Sequence, residues 1–182
     1  MTTLAFGINH KSASVDLRGK ISFAPEIVVQ ALQDARSILH VQEIALLSTC
    51  NRTELYLHGD VTDTQLLTWL AMVKGVEIGQ LKSCYYCYRG EEAVTHMMRV
   101  AGGLDSLILG EPQIFGQIKS AYAVGQEAGT VSTVLNQVFQ QVFSAAKRVR
   151  SETAIGKNPV SVAYASVNLA TQIFANLNNA HA

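Results

Sequence analysis

The chain has 182 residues, and its 14 basic and 14 acidic side chains give a formal net charge of zero at pH 7. Its length, with 48% hydrophobic and 15% charged residues, predicts one large domain, or one domain with an appended segment. The zero net charge is unlike that of a protein that coats nucleic acid. No apolar run approaches the roughly 20 residues of a membrane span, and the first residues lack the basic segment of a signal peptide, so we expect a cytoplasmic protein with reduced cysteines.

The first half of the chain alternates between predicted strands and helices. Apolar or aromatic runs predict strands over residues 3–9, 44–47, 55–57 and 81–88. Pro25 in a first turn begins a predicted helix that ends near residue 40, and a second amphipathic helix covers 62–73. The order strand, helix, strand, strand, helix, strand predicts a ferredoxin-like βαββαβ antiparallel sheet with helices on one face.

The second half is predicted to be helical, which makes the fold class α+β with an appended helical subdomain. The predicted helices cover residues 91–101, 113–127, 131–150 and 160–177. We therefore divide the chain into a domain over 1–155 and a final helical segment over 156–182. Basic residues at 147–150 suit the C-terminal end of a helix dipole, and they equally suit contacts with nucleic-acid phosphates.

The densest group of reactive side chains lies between the second and third predicted strands. Within residues 49–54 the sequence places a thiol, hydroxyls, an amide, a guanidinium and a carboxylate, whereas a simple turn favours Gly or Asn-Gly. Cys50 is a candidate nucleophile, because the pKa of a thiol falls beside a cation such as Arg52. Arg52 is equally suited to bind a substrate carboxylate. The alternative for Cys50 is a small buried residue at a strand end.

Two histidines and one pair of cysteines give weaker signals. His10, in a predicted loop, is either a functional base or a polar loop residue. His96, on a predicted helix, is either a packed structural residue or a general acid or base. Cys84 and Cys87 form a C-x-x-C pair without a second pair, and on one strand they would point to opposite faces. We therefore expect no metal.

The segment 102–114 interrupts the helical half with glycines and polar residues. One interpretation is a corner between two helices, with Asp105 or Ser106 as a cap and Pro112 in the next first turn. The other interpretation is a structured binding loop, which would explain why Glu111, Gln113 and Gln117 follow so closely.

Five motifs follow one another along the chain: Gly7-Ile8-Asn9-His10-Lys11, Leu47-Ser48-Thr49-Cys50-Asn51-Arg52-Thr53-Glu54, His96-Met97-Met98-Arg99-Val100-Ala101, Gly103-Leu104-Asp105-Ser106-Leu107-Ile108-Leu109-Gly110-Glu111-Pro112-Gln113-Ile114 and Ala146-Lys147-Arg148-Val149-Arg150. In this order they resemble the N-terminal part of glutamyl-tRNA reductase, the first committed enzyme of five-carbon tetrapyrrole (haem) synthesis. The resemblance covers essentially the whole chain. The family usually has proline where this chain has Ser14, a loop difference that affects no site residue.

The resemblance implies a two-step reduction. Cys50 attacks the ester of glutamyl-tRNA(Glu) to form a thioester, and NADPH then reduces the thioester to glutamate-1-semialdehyde. His96 is implied to matter for activity, and Arg52 to bind the substrate carboxylate. The implied substrate site consists of Thr49, Asn51, Arg52, Ser106, Glu111, Gln113 and Gln117.

The resemblance also implies parts and partners that lie outside this chain. The NADPH-binding domain of the family would follow residue 182, with the helix over 160–177 leading into it, as would a helical domain that forms a homodimer. The aminomutase that follows in the pathway is a further expected partner. We therefore expect this chain to form the thioester without reducing it.

Two other functions remain open. The chain is alternatively a non-catalytic module that binds tRNA or a regulatory protein through residues 147–150. It is alternatively a plain cysteine hydrolase that acts on simple esters without preferring a glutamyl group.

Overall fold

The computed structural model describes residues 1–156, so the predicted helix over 160–177 lies outside the described residues, as does nearly all of the proposed segment 156–182. Within residues 1–156 the strands are β1 (Thr2–Asn9), β2 (Glu43–Ser48), β3 (Arg52–Gly59) and β4 (Tyr86–Arg89). They form one antiparallel sheet in the order β2-β3-β1-β4. This is the order of a ferredoxin-like sheet, so the predicted α+β fold class is confirmed.

The helices of the described part are α1 (Val15–Ile21), α2 (Pro25–Leu39), α3 (Asp63–Lys74), α4 (Ile78–Lys82), α5 (Glu91–Ala101), α6 (Gln113–Glu127) and α7 (Thr133–Glu152), followed by a 3₁₀ turn, Ala154–Gly156. Most lie within a few residues of their predicted bounds. No helix among these residues is long and apolar enough to cross a membrane.

Two local predictions were wrong. Helix α1 was not predicted; its N-terminus is capped by Ser14, whose hydroxyl accepts a hydrogen bond from the backbone N–H of Leu17. The predicted strand over 81–88 is a strand only in its second half, because α4 extends to Lys82. Cys84 therefore precedes β4 and, contrary to the expectation of opposite faces, contributes to the same hydrophobic core that Cys87 contacts.

Both faces of the sheet are covered by helices. Alternate residues of each strand point to opposite faces, and one face packs against α1, α2 and α3. The other face packs against α5, α6 and α7, so the helical second half of the chain forms a layer on the sheet. Because both faces are buried, β2 and β3 are buried along almost their whole length. Residues of the second core include Ala5, Ala45, Leu47, Tyr56, Met97, Ile118 and Phe139.

A buried carboxylate fixes α7 to the sheet. Glu43, the first residue of β2, accepts hydrogen bonds from the backbone N–H groups of Ser132, Val134 and Leu135 at 2.9, 2.9 and 2.8 Å. These donors lie at the N-terminus of α7, where backbone N–H groups lack partners within the helix. Burial raises the pKa of Glu43, but the three backbone donors outweigh burial and hold the pKa below its usual value.

Candidate active site

The turn between β2 and β3 presents Cys50 to solvent. Thr49 closes the turn: its N–H donates to the carbonyl of Arg52 at 2.8 Å, and its hydroxyl accepts from the N–H groups of Asn51 and Arg52 at 3.2 and 3.1 Å. Cys50 lies at the exposed tip of this turn. The structure therefore does not support the interpretation of Cys50 as a buried residue at a strand end.

Two residues from the first part of the chain support the turn. The N–H of His10 donates to the carbonyl of Asn51 at 2.9 Å, and the Nε of Arg18 donates to the carbonyl of Cys50 at 3.2 Å. Burial and the nearby guanidinium of Arg52 lower the pKa of His10. Arg18 was missed by the sequence analysis because it lies on α1, the helix that was not predicted.

A cavity of about 60 Å³ lies beside Cys50. Eight of the nine predicted site residues line it, together with Leu107 and Ile114: Thr49, Cys50, Asn51, Arg52, Ser106, Glu111, Gln113 and Gln117. They come from the β2–β3 turn, from the loop before α6, and from the first turns of α6. One water molecule occupies roughly 10–15 Å³ when volume is measured in this way. The cavity therefore has room for a small polar side chain.

Glycines shape the loop that forms the far wall of this cavity. Gly103 and Gly110 have φ angles of 76° and 81°, which favour glycine, and the N–H of Gly110 donates to the carbonyl of Gly103 at 2.9 Å. Arg150 of α7 donates from Nη1 to the carbonyls of Gly110 and Glu111 at 3.3 and 3.5 Å. This segment is therefore a structured loop between α5 and α6 that α7 supports; that it binds a ligand, as the second interpretation expects, stays a prediction.

Arg52 is buried and paired with two carboxylates. Its Nη1 lies 2.5 Å from Oε1 of Glu54, and its Nη2 lies 3.0 Å from Oδ2 of Asp105 and 2.5 Å from the carbonyl oxygen of Asp105. Asp105 also pairs with Lys11. The residue at the N-cap of α6 is Pro112, so Asp105 is not the helix cap that the sequence suggested. Burial would lower the pKa of Arg52, but Glu54 raises it above the ordinary value, and the guanidinium stays charged.

Glu54 is the centre of this buried network. Its side chain has no exposed surface, and besides Arg52 it accepts hydrogen bonds from the hydroxyls of Tyr56 at 2.6 Å and Tyr86 at 2.5 Å. Burial raises the pKa of Glu54, but His96, Arg52 and Tyr56 outweigh burial and hold it well below its usual range. Arg52, Glu54 and Tyr56 alternate along β3 and share one face of the sheet, a pattern that was visible in the sequence.

Gly7 makes room for the network. It pairs with Glu54 on one side and with Tyr86 on the other. A Cβ atom on Gly7 would lie 2.6 Å from Cγ of Glu54 and 3.0 Å from the hydroxyl of Tyr86. A side chain at this position would therefore separate the groups that meet there.

His96, the ninth predicted residue, does not line the Cys50 cavity. Its Nε2 lies 3.1 Å from Oε2 of Glu54, and its ring packs against Tyr86 and Tyr88 with centroids 5.2 and 4.8 Å apart. It lines a separate cleft of about 770 Å³. Within residues 1–156, the hydrogen bonds from His96 therefore reach the Cys50 turn through Glu54 and Arg52.

The other two cysteines lie away from this site. Cys84 is buried, and burial raises its pKa. Burial and the nearby carboxylate of Asp63 raise the pKa of Cys87 to about 12. Among residues 1–156 no cluster of three or more His, Cys, Asp or Glu side chains is arranged to hold a metal ion.

Comparisons with known proteins converge on one family. The family model described as "Glutamyl-tRNAGlu reductase, N-terminal domain" matches residues 6–153. The glutamyl-tRNA reductases of Saccharophagus degradans and Stutzerimonas stutzeri are 56% and 54% identical over 97% and 100% of the chain, which spans 42% and 43% of their lengths. The structure of glutamyl-tRNA reductase from Methanopyrus kandleri is 32% identical with a TM-score of 0.72, over 93% of this chain and 39% of that one.

Proposed function

This chain belongs to the family of glutamyl-tRNA reductase N-terminal domains, and on that basis we propose that it carries the acyl-transfer half of the reductase reaction. The observation that carries the proposal is the position of Cys50, exposed at the tip of the β2–β3 turn and beside a cavity lined by polar side chains. A thiol there is open to a large substrate from solvent and has a polar site for the acyl group beside it.

In the proposed step, the thiolate of Cys50 attacks the carbonyl carbon of the aminoacyl ester. A C–S bond forms, the ester C–O bond breaks, and the ribose oxygen of the tRNA leaves as a hydroxyl by taking up from solvent the equivalent of the proton that the thiol lost. An aminoacyl ester is already activated, so a thiolate displaces the alcohol without a metal ion. The product is a glutamyl thioester on Cys50.

The cavity supplies groups that match a glutamyl side chain and amino group. The carboxylate of Glu111 suits the substrate ammonium, and the amides of Gln113 and Gln117 suit its carboxylate and carbonyl oxygens. Arg52 contributes hydrogen-bond donors, but Glu54 and Asp105 offset its charge. We therefore assign Arg52 the role of orienting the substrate carboxylate within a preformed network.

Glu54 and His96 are proposed as positioning residues. Glu54 holds the guanidinium of Arg52 from one side, and His96 holds Glu54. Neither residue lines the cavity beside Cys50. Their expected effect on the reaction is to fix the orientation of Arg52.

Reduction of the thioester is assigned to the longer enzymes and not to the residues of this chain. The relatives are more than twice as long as this chain, and its 182 residues contain no glycine-rich G-x-G-x-x-G loop of the kind that binds a dinucleotide. In the full reaction NADPH supplies the hydride that converts the thioester to glutamate-1-semialdehyde. The homodimer, the aminomutase partner, the location in the cytoplasm and the place in tetrapyrrole synthesis likewise stay predictions.

The alternative of a tRNA-binding module through residues 147–150 gains no support from the packing. Arg148 pairs with Glu152, and Arg150 donates hydrogen bonds to the loop beside the cavity. These contacts account for two of the basic side chains without nucleic acid. The exposed thiol beside a polar cavity favours acyl transfer.

The proposal is tested by mixing the chain with glutamyl-tRNA and measuring tRNA release with and without NADPH. We expect tRNA to be released as the thioester forms, with further turnover limited by slow hydrolysis of the thioester; Cys50→Ser should lose this release, and the control Cys84→Ser should retain it. Glutaminyl-tRNA should react more slowly, which separates this function from a plain hydrolase. Equal release by Cys50→Ser would overturn the role of Cys50, and semialdehyde formation with NADPH would overturn the assignment of reduction to the longer enzymes.

A further inference from the structure

A second hollow adjoins the cavity beside Cys50. It is a groove of about 540 Å³ between α2, β2 and α6, which we call the α2–α6 groove. Phe23, Pro25, Val28 and Leu46 form its apolar walls. Gln113 and Gln117 line both this groove and the Cys50 cavity. The two spaces therefore meet along one edge of α6.

The proposed reaction needs such an adjoining space. The glutamyl group and the terminal nucleoside of its tRNA are joined by one ester bond, so the nucleoside must lie close to the cavity when Cys50 attacks. The larger cleft beside His96 shares no described lining residue with the Cys50 cavity. Arg52 lines the cavity and Asp105 lines the cleft, and the ion pair between these two side chains stands between the two spaces. Continuity therefore favours the α2–α6 groove.

We propose that the α2–α6 groove binds the 3′-terminal adenosine of the aminoacyl-tRNA while its glutamyl group occupies the Cys50 cavity; the proposal rests on the acyl-transfer function above. The size of the groove lies within the roughly 300–1,000 Å³ that is usual for small-molecule sites. Its apolar walls suit the faces of a purine.

The absence of charged side chains among the described lining residues indicates which part of the tRNA the groove would bind. None of its described lining residues is charged, which suits a neutral base and ribose and not the phosphates that precede them. The hydroxyl of Ser48 accepts a hydrogen bond from the N–H of Phe23 at 2.8 Å, which leaves its own O–H to donate. With the amides of Gln113 and Gln117, it offers the groups that bind ribose hydroxyls.

Gly116 allows the groove to be filled without disturbing its walls. It lies on α6, lines the groove, and a Cβ atom added to it would meet nothing within 4 Å. Leucine also has a higher helix propensity than glycine. Gly116→Leu should therefore fold and place an aliphatic side chain in the space assigned to adenosine. Gly79→Leu is the matched control, because Gly79 is also helical with open space around it and lines neither hollow.

The experiment compares the rates at which Cys50 is acylated by 2′(3′)-O-glutamyladenosine and by the α-ethyl ester of glutamate, which has no nucleoside. In the unsubstituted chain and in Gly79→Leu we expect the adenosine ester to react faster. In Gly116→Leu the ratio of the two rates should fall by at least about tenfold. An unchanged ratio in Gly116→Leu, or equal rates for the two esters in the unsubstituted chain, would overturn the proposal.

A second measurement tests whether the groove binds adenosine, independently of the acylation of Cys50. Adenosine alone should shift the amide NMR resonances of Gly116 and Ser120 in the unsubstituted chain and should not shift the Ser120 resonance in Gly116→Leu. If neither ester acylates Cys50 and adenosine still produces these shifts, the acyl-transfer function fails while the adenosine site stands. If acylation occurs without the shifts and with an unchanged ratio, the adenosine site fails while the acyl-transfer function stands.

Discussion

Arg52 and Glu54 form an ion pair in the interior of the protein, with Nη1 of Arg52 2.5 Å from Oε1 of Glu54 and at most 2% of either side chain exposed. The two residues stand two positions apart on β3 and therefore point to the same face of the sheet. Arg52 also ends the turn that carries Cys50, so this pair connects the turn to the core.

Removing the charge of Glu54 should destabilise the whole domain. In Glu54→Gln the guanidinium of Arg52 stays buried with only Asp105 as a charged partner, and breaking a buried pair in this way costs about 3–5 kcal/mol. The measurement is the free energy of unfolding in urea. The matched control is Glu152→Gln, which breaks the exposed Arg148–Glu152 pair and should change that free energy by less than about 0.5 kcal/mol. Similar small losses in both variants would contradict the central position of Glu54.

Gly7→Ala should disturb the same network from the neighbouring strand. The added methyl group would lie 2.6 Å from Cγ of Glu54, and relieving such a contact in a packed interior costs about 1–3 kcal/mol. The thermal unfolding midpoint measures the loss. Gly19→Ala is the control, because a Cβ atom at Gly19 meets nothing within 4 Å, and it should leave the midpoint unchanged or raise it. A midpoint for Gly7→Ala at or above that of the unsubstituted chain would show that the network tolerates the methyl group.

The stability of the domain should fall at acid pH through Glu43. Its pKa is below the usual value in the folded protein, so its contribution is present above the unfolded-state pKa and is lost as pH falls. We expect Glu43→Gln to be less stable near pH 6, and to lose less stability than the unsubstituted chain between about pH 5 and pH 3. Urea unfolding at a series of pH values measures both. Parallel pH curves for the two proteins would contradict the assignment, since other carboxylates contribute equally to each.

The three thiols should react with iodoacetamide in a fixed order. Cys50 is exposed. Cys84 is only 5% exposed and burial raises its pKa, and the pKa of Cys87 is raised to about 12. Both therefore carry little reactive thiolate at pH 8. Peptide mass spectrometry should find Cys50 alkylated first in the folded chain and all three alkylated in urea. Early alkylation of Cys87 would contradict the described packing of β4.

The sheet was predictable because each strand contains an apolar or aromatic run and the order of elements allows few topologies. Helix α1 was not, because within its 7 residues only Ile21 is buried, which leaves no apolar repeat to detect. The predicted strand over 81–88 began too early because the buried Leu81 is equally compatible with a short helix and a strand.

The sequence indicated which residues gather beside Cys50 but not how they are connected, and their roles stay predictions. Motif resemblance named eight of the ten residues that line the Cys50 cavity. It did not show that Asp105 pairs with Arg52, or that Tyr86 reaches Glu54 across Gly7, because these contacts depend on the pairing of strands and loops far apart in the sequence. His96 was grouped with Cys50, although the fold places Arg52 and Glu54 between them.

The central claim is that Cys50 accepts the glutamyl group. The most direct test mixes the chain with glutamyl-tRNA in the absence of NADPH, stops the reaction in acid and measures the masses of the peptides that contain Cys50, Cys84 and Cys87. We expect a glutamyl adduct on the peptide that contains Cys50, and none on the corresponding peptide of Cys50→Ser. An adduct on Cys84 or Cys87, or tRNA bound without any adduct, would contradict it.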